Sequence, residues 1–173
     1  MLGTLSYYLY IRKSAIFQGG FSKVDLNLTE VIIERCDKET EDVISTEGAA
    51  FLNTSIHHVK QYQNEFIYIE SPSLEQIKVD AISFELDDVF KTYTALLGLK
   101  MQKKHTSVIK NYLSESLQGE NKYFSASFSG DEGMWDLNIP LDYIEGFSED
   151  MSFGAALTLT FEFITSLLKE IDK

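Results

Sequence analysis

Hydrophobic and polar residues alternate with a period of two in two separate regions of the chain. In the first region, residues 5–11 and, after a glycine turn, residues 24–28 show this pattern. In the second region the pattern covers residues 123–128 and 135–139, again on either side of a turn that contains glycine. Such alternation is typical of half-buried strands, and glycine accepts the backbone conformations of tight turns. Each region therefore predicts a β-hairpin.

The two predicted hairpins are also similar to each other in sequence. Aligned without a gap, residues 14–34 and 125–145 are identical at nine of twenty-one positions, whereas typical residue usage gives roughly one or two matches by chance. The match predicts an internal duplication inside a single domain that is formed by all 173 residues. The repeat-like halves lie at about 5–62 and 121–171, and residues 63–120 connect them.

The C-terminal segment carries two competing patterns. The letters LTLTFEFIT alternate like a strand, whereas the apolar residues between Phe153 and Ile171 recur at helical spacing. We favour a helix over residues 153–171, preceded by the capping residues 148–150, because no turn residue interrupts it. By the repeat, residues 49–62 form the matching helix, and Thr29 caps a further short helix that begins at Glu30.

The connecting segment predicts two strands, at 66–70 and 78–86, followed by two helices, at 88–97 and 101–117. The combined elements predict the α+β class, with a mostly antiparallel sheet and helices packed on one side of it. In this arrangement two related ββα halves flank a central ββαα segment.

The chain is acidic, with 27 acidic and 15 basic residues and a net charge of −12. This balance argues against a nucleic-acid partner, because binding to phosphates depends on Lys and Arg. The charge has two interpretations. It keeps the protein soluble through self-repulsion, or it steers the protein toward a basic partner over long distances.

Cys36 is the only cysteine of the chain, so no intrachain disulfide can form. Its apolar neighbours indicate a small buried side chain rather than a catalytic thiol. The N-terminus has no positive charge before its apolar run, and the most apolar stretch is too short and too polar to span a bilayer. We therefore expect a soluble, cytoplasmic protein with no membrane partner.

Two Asp–Asn pairs stand out among the polar residues. Asp25 and Asn27 in the first copy correspond to Asp136 and Asn138 in the second. Period-two geometry places each pair on one face of its strand, although neither residue type favours strands. One interpretation is a solvated face or turn shared by descent; the other is a polar patch for a cationic group or a hard cation.

No metal or cofactor is predicted. His57 and His58 point in different directions on a regular helix, His105 lies among lysines, and zinc needs three or four ligands. The sequence contains no phosphate-binding glycine loop, dinucleotide fingerprint, nucleophile elbow or zinc-protease motif.

The leading functional hypothesis is a non-enzymatic, acidic interaction protein that binds and neutralises a basic protein, such as a toxin or nuclease. Carboxylates on the second half would meet Lys or Arg of that partner, and buried aromatic residues would hold the complex. The predicted binding residues are Asp25, Asn27, Asp131, Glu132, Asp136, Asn138, Asp142, Glu145, Glu149 and Asp150. In size, acidity and lack of motif the chain is similar to bacterial immunity proteins, a likeness of class alone.

Two alternatives remain open at this point. The cleft between the two halves would suit a small molecule, since pockets favour such interfaces. An uncatalogued hydrolase is the third hypothesis, because catalytic groups converge in space rather than in sequence. The oligomeric state is not predicted.

Overall fold

A computed structural model describes residues 26–173 of the chain. The strands are β1 (Ile32–Asp37), β2 (Val43–Glu47), β3 (Glu65–Glu70), β4 (Val79–Leu86), β5 (Tyr93–Leu99), β6 (Ser125–Ser129) and β7 (Met134–Pro140). The α-helices are α1 (His58–Gln61), α2 (Thr106–Ser116) and α3 (Phe153–Ile171). Short 3₁₀ helices cover Ala49–Asn53, Pro72–Ile77, Lys103–His105 and Leu141–Tyr143.

The strands form one seven-stranded sheet in the order β2-β1-β3-β4-β5-β7-β6. Every neighbouring pair is antiparallel. The prediction of an α+β fold with an antiparallel sheet is therefore confirmed. Strands β3, β4 and β5 follow the chain as a meander. Longer connections join β2 to β3 through residues 48–64 and β5 to β6 through residues 100–124, which contain α2.

One face of the sheet packs into the hydrophobic core. This face carries the buried side chains of Ile67 and Ile69 on β3 and of Trp135 on β7. Phe153, at the start of α3, contacts the ring of Phe84 on β4 with centroids 6.2 Å apart. The predicted C-terminal helix is confirmed, and its helical spacing outweighs the alternation of its threonines because Thr158 and Thr160 donate their hydroxyls to backbone carbonyls one turn back.

Ser152 is the N-cap of α3, not the residues at 148–150. Its Oγ accepts a hydrogen bond from the Ala155 N–H at 3.1 Å, which satisfies one of the free donors of the first turn. Ser152→Ala is expected to lower the free energy of unfolding by about 1 kcal/mol. Ser166→Ala removes an exposed hydroxyl inside the same helix and should change it by less than about 0.5 kcal/mol. Equal urea midpoints for the two variants would contradict the capping role.

The short helix predicted from Glu30 is wrong, because Ile32–Asp37 forms strand β1. Ile33 pairs with Ile69 of β3 and both are buried. Isoleucine is β-branched and favours strands. Packing of these side chains on the sheet therefore stabilises the fold more than a helix capped by Thr29 would.

The helix predicted at 88–97 is also wrong. Asp87 instead accepts the N–H groups of Val89 and Phe90 in a tight turn, and β5 follows at Tyr93–Leu99. The strand lies in the interior of the sheet between β4 and β7, where burial and pairing override the helical preference of its leucines. The second helix of that pair is confirmed, beginning at Thr106.

The helix predicted at 49–62 is broken into the 3₁₀ helix Ala49–Asn53 and the short α1. Between them Thr54 accepts the N–H of Phe153, and Ile56 donates its N–H to the Met151 carbonyl. These bonds tie the segment to the residues before α3 and leave no continuous helix.

The hairpin predicted at 123–139 is confirmed as β6 and β7. Residues 5–25 of the other predicted hairpin lie outside the described residues, and residues 26–28 form no strand. Where both copies are described they differ, because Ile33 and Glu34 belong to a strand whereas Ile144 and Glu145 lie in a loop. The internal duplication is therefore not confirmed.

Candidate binding surface on the open face of the sheet

The face of the sheet opposite the core carries polar and small side chains in register across the strands. One row follows the strand order through Thr46, Glu34, Tyr68, Ser83, Leu96, Asn138 and Ser125, each paired with the next. A neighbouring row contains Gly98, Asp136 and Ser127, again as direct partners. Side chains directly opposite each other on one face lie about 5 Å apart. These rows form the surface that we call the open face.

The open face contains a hollow of about 450 Å³. Its polar lining comes from Tyr68, Ser83, Ser125, Ser127, Asp136 and Asn138. Short side chains at Ala81, Ser83, Ser125 and Ser127 leave room for the hollow. Gly98 also belongs to the lining, but a Cβ there would lie 2.8 Å from Sδ of Met134, so the Met134 side chain fills the space above this glycine.

The predicted placement of Asp136 and Asn138 on one strand face agrees with the structure. Trp135, Leu137 and Ile139 point into the core and are buried. Asp136 is exposed and lies opposite Ser127, while the partly buried Asn138 lies opposite Ser125. The pair therefore belongs to the hollow, which is formed within one sheet.

Tyr68 is the aromatic side chain of the hollow, and carboxylates surround it. Its hydroxyl donates to Oε2 of Glu70 at 2.8 Å. Burial, followed by this bond and the nearby charge of Glu34, raises the pKa of Tyr68 to about 12. The phenol consequently stays protonated at neutral pH, and its ring is held in place by the bond to Glu70.

The carboxylates of the open face lack cationic partners within residues 26–173. Glu34, Glu70 and Asp136 take part in none of the salt bridges between described residues. Asp80, whose charge also acts on Tyr68, differs from them because it pairs with Lys100. Asp88 likewise pairs with Lys38. Charges that are left uncompensated on one face produce a local negative potential in front of it.

A second acidic group surrounds Tyr93 at one end of the sheet. Asp142 accepts the Tyr93 N–H at 2.6 Å, and the Tyr93 hydroxyl donates to Oε2 of Glu149 at 3.3 Å. Nδ1 of His57 lies 3.2 Å from the same hydroxyl. Burial and the charge of Glu149 raise the pKa of Tyr93 to about 12, and burial raises the pKa of Asp142. Unlike the open face, this group has its own cation, because Lys60 lies 3.5 Å from Glu149.

The other predicted binding residues are dispersed. Asp131 and Glu132 occupy the exposed β6–β7 turn, at the opposite end of β7 from Asp142, and a seven-residue strand is about 20 Å long. Glu145 and Asp150 are exposed in loops. The structure therefore brings Asp142, Glu149 and Asp150 to one end of the molecule and leaves the β6–β7 turn apart.

In the first copy, Asp25 lies outside the described residues and Asn27 stabilises a turn. Oδ1 of Asn27 accepts the Thr29 N–H, and the Asn27 backbone exchanges hydrogen bonds with Ser73. Nothing in the described part of the chain places Asn27 beside Asn138.

A buried charged network lies near the edge of the sheet and has a structural role. Glu65 has a side chain only 5% exposed and receives two hydrogen bonds from Arg35, at 3.0 and 2.6 Å. Nε2 of His58 lies 3.0 Å from the same carboxylate. Because every charge has a partner, the network leaves no group free for a ligand.

The remaining candidates for chemistry have structural environments. Cys36 is 4% exposed, and burial raises the pKa of its thiol. His57 and His58 contact different partners, as expected from their adjacent positions. Among residues 26–173, no group of three His, Cys, Asp or Glu side chains is arranged to hold a metal ion. None of the described helices is long and apolar enough to cross a membrane.

Comparison with known proteins gives no match: no family model fits the sequence, and no significant counterpart occurs among curated proteins or solved structures.

Proposed function

We propose that this chain is a non-enzymatic binding protein that captures a basic protein through the open face of its sheet. The observation that carries the proposal is the set of three carboxylates, Glu34, Glu70 and Asp136, that share this face and form no salt bridge within residues 26–173. A patch of lysines or arginines on the partner would supply the missing counter-charges. The net charge of −12 would speed the encounter at long range.

The open face also has features of a contact surface rather than of a catalytic centre. Tyr68 offers a fixed aromatic ring, and tyrosine is enriched among residues that anchor interfaces. The serines around it have no histidine in the same rows of the described sheet, so no nucleophile–base pair is arranged there. Inhibition or immunity against a cationic toxin or nuclease is the form of this function that we propose, in a reducing compartment such as the cytoplasm.

A salt-dependent capture experiment tests the proposal. The tagged protein is incubated with lysate of its own source and washed first at low and then at high salt. We expect one stoichiometric basic protein that is released as salt screens the interaction. Recovery of the protein alone, or of a partner that resists high salt and is not basic, would contradict the proposal.

The hollow favours a second candidate function, the binding of a small molecule. Its volume of about 450 Å³ falls within the range of ligand pockets. The capture experiment separates the two candidates, because a small-molecule protein retains no basic protein. Ligand-induced thermal shifts that disappear in Asp136→Ala would then support this alternative.

A further inference from the structure

We infer that the hollow of the open face is a receptor for one arginine side chain of the basic partner. This inference rests on the proposed function and adds to it a specific recognition element. Three features favour an arginine side chain in the hollow: the chemistry of the lining, the shape of the hollow and the uncompensated charge around it.

The acceptors of the hollow suit a guanidinium group. Asp136 supplies a carboxylate, and its direct cross-strand partner Ser127 supplies a hydroxyl oxygen. One register step further along β7, Asn138 and its partner Ser125 supply an amide oxygen and a second hydroxyl. Guanidinium carries five donors in a flat fork and binds carboxylates through two parallel bonds. The four side chains thus present acceptors over an area that the compact ammonium of lysine does not span.

The shape of the hollow suits the rest of an arginine side chain. Its floor is formed by short or apolar residues, among them Ala81, Leu96 and Gly98. These residues would contact the methylene groups of the stem, as apolar surface does for other long charged side chains. Tyr68 stands at the opposite side of the hollow, three strands from Asn138, and bounds the space that the stem would cross.

The charge around the hollow excludes the obvious alternatives. Asp136 has no cation partner in residues 26–173, and Glu70 and Glu34 lie close to Tyr68. An anionic or strongly acidic ligand would be repelled by these groups. A cation that enters the hollow gains one direct carboxylate contact and the field of the two others.

The test is a titration of the 173-residue chain, monitored by NMR, with three blocked tripeptides: Gly-Arg-Gly, Gly-citrulline-Gly and Gly-Lys-Gly. Citrulline keeps the shape of arginine but has no charge. We expect Gly-Arg-Gly to shift the amide signals of Ser125–Ser127 and Asp136–Asn138. Its affinity should exceed that of the other two peptides by at least about tenfold.

Matched variants locate the binding site. Asp136→Asn and Ser127→Phe should each reduce binding of Gly-Arg-Gly by at least about tenfold, the first by removing the charge and the second by filling the hollow. Ser129→Phe places the same ring on the same strand face outside the lining and should leave binding unchanged. Equal binding of the three peptides, or an equal effect of the two phenylalanine variants, would overturn the inference.

Two further outcomes separate this inference from the proposed function. If Gly-Arg-Gly does not bind although a basic partner is captured and shed by salt, the arginine receptor is wrong and the acidic binding face stands. If Gly-Arg-Gly binds only after Arg12→Gln and Lys13→Gln are introduced, the hollow is occupied by the chain's own N-terminal region. That result would overturn the assignment to a partner.

Discussion

Replacing Phe153 by alanine is expected to lower the free energy of unfolding by about 4 kcal/mol. The side chain is fully buried and contacts three other aromatic rings. It stacks on Phe51 at 5.3 Å and also packs against Phe84 of the sheet. Its removal would leave a cavity where α3, the Ala49–Asn53 turn and β4 meet, and such a cavity is costly because close-packed neighbours relax only partly.

Urea unfolding of Phe153→Ala beside Phe90→Ala checks this prediction. Phe90 is 50% exposed at the β4–β5 turn, so removal of the same atoms should cost less than about 1 kcal/mol. A loss at Phe153 no larger than that at Phe90 would show that α3 does not pack on the sheet as described.

Replacing Glu65 by glutamine is expected to lower the free energy of unfolding by about 2 kcal/mol. The change removes the carboxylate that lies closest to the Arg35 guanidinium, and loss of one partner from a fully buried pair costs about 3–5 kcal/mol. The smaller value is expected here because the Arg35 side chain is 25% exposed and regains water. Glu47→Gln is the matched control, since Glu47 lies 3.7 Å from Arg35 and is 28% exposed. It should cost less than about 1 kcal/mol.

The contribution of Glu65 should also depend on pH. The hydrogen bonds from Arg35 are the main reason that the pKa of Glu65 is lowered. A carboxylate whose folded pKa lies below its unfolded value, about 4.3, stabilises the protein above that value. The stabilisation is lost as pH falls through the folded pKa. The stability difference between the wild type and Glu65→Gln should therefore be constant near pH 7 and shrink below about pH 4. A difference that does not change down to pH 2 would contradict the ion pair.

The elements that the sequence predicts correctly are those whose pattern comes from local geometry. Helix α3 has apolar residues at helical spacing over its whole length, and the β6–β7 hairpin combines alternation with a glycine turn. The sequence of strand β5 predicts a helix, because leucine and alanine favour helices locally. Its position between β4 and β7 depends on pairing with Asp136–Pro140, some forty residues later in the chain. A local sequence pattern cannot predict a pairing between residues so far apart.

The candidate surface was predicted only in part. Alternation in β7 places Asp136 and Asn138 on one face, as the structure shows. Glu34 was assigned to a helix and so could not be placed beside Tyr68, which it pairs with in the sheet. The alternation of β3 indicates part of this surface, because Phe66, Tyr68 and Glu70 lie on the face opposite the buried isoleucines. The hollow itself is lined by residues from five strands, so it follows from strand order rather than from any single motif.

The affinity of the captured partner for two double charge-reversal variants tests most directly whether the open face is the binding surface. Glu34→Lys with Glu70→Lys alters the open face and leaves Asp136 in place. Glu149→Lys with Asp150→Lys makes the same change in net charge at the Tyr93 end, and urea midpoints verify that both variants are folded. We expect the first variant to weaken binding by at least about tenfold, while the second stays within about threefold of the wild type. Equal weakening by both variants, or weakening by the second alone, would contradict the assignment of the open face as the binding surface.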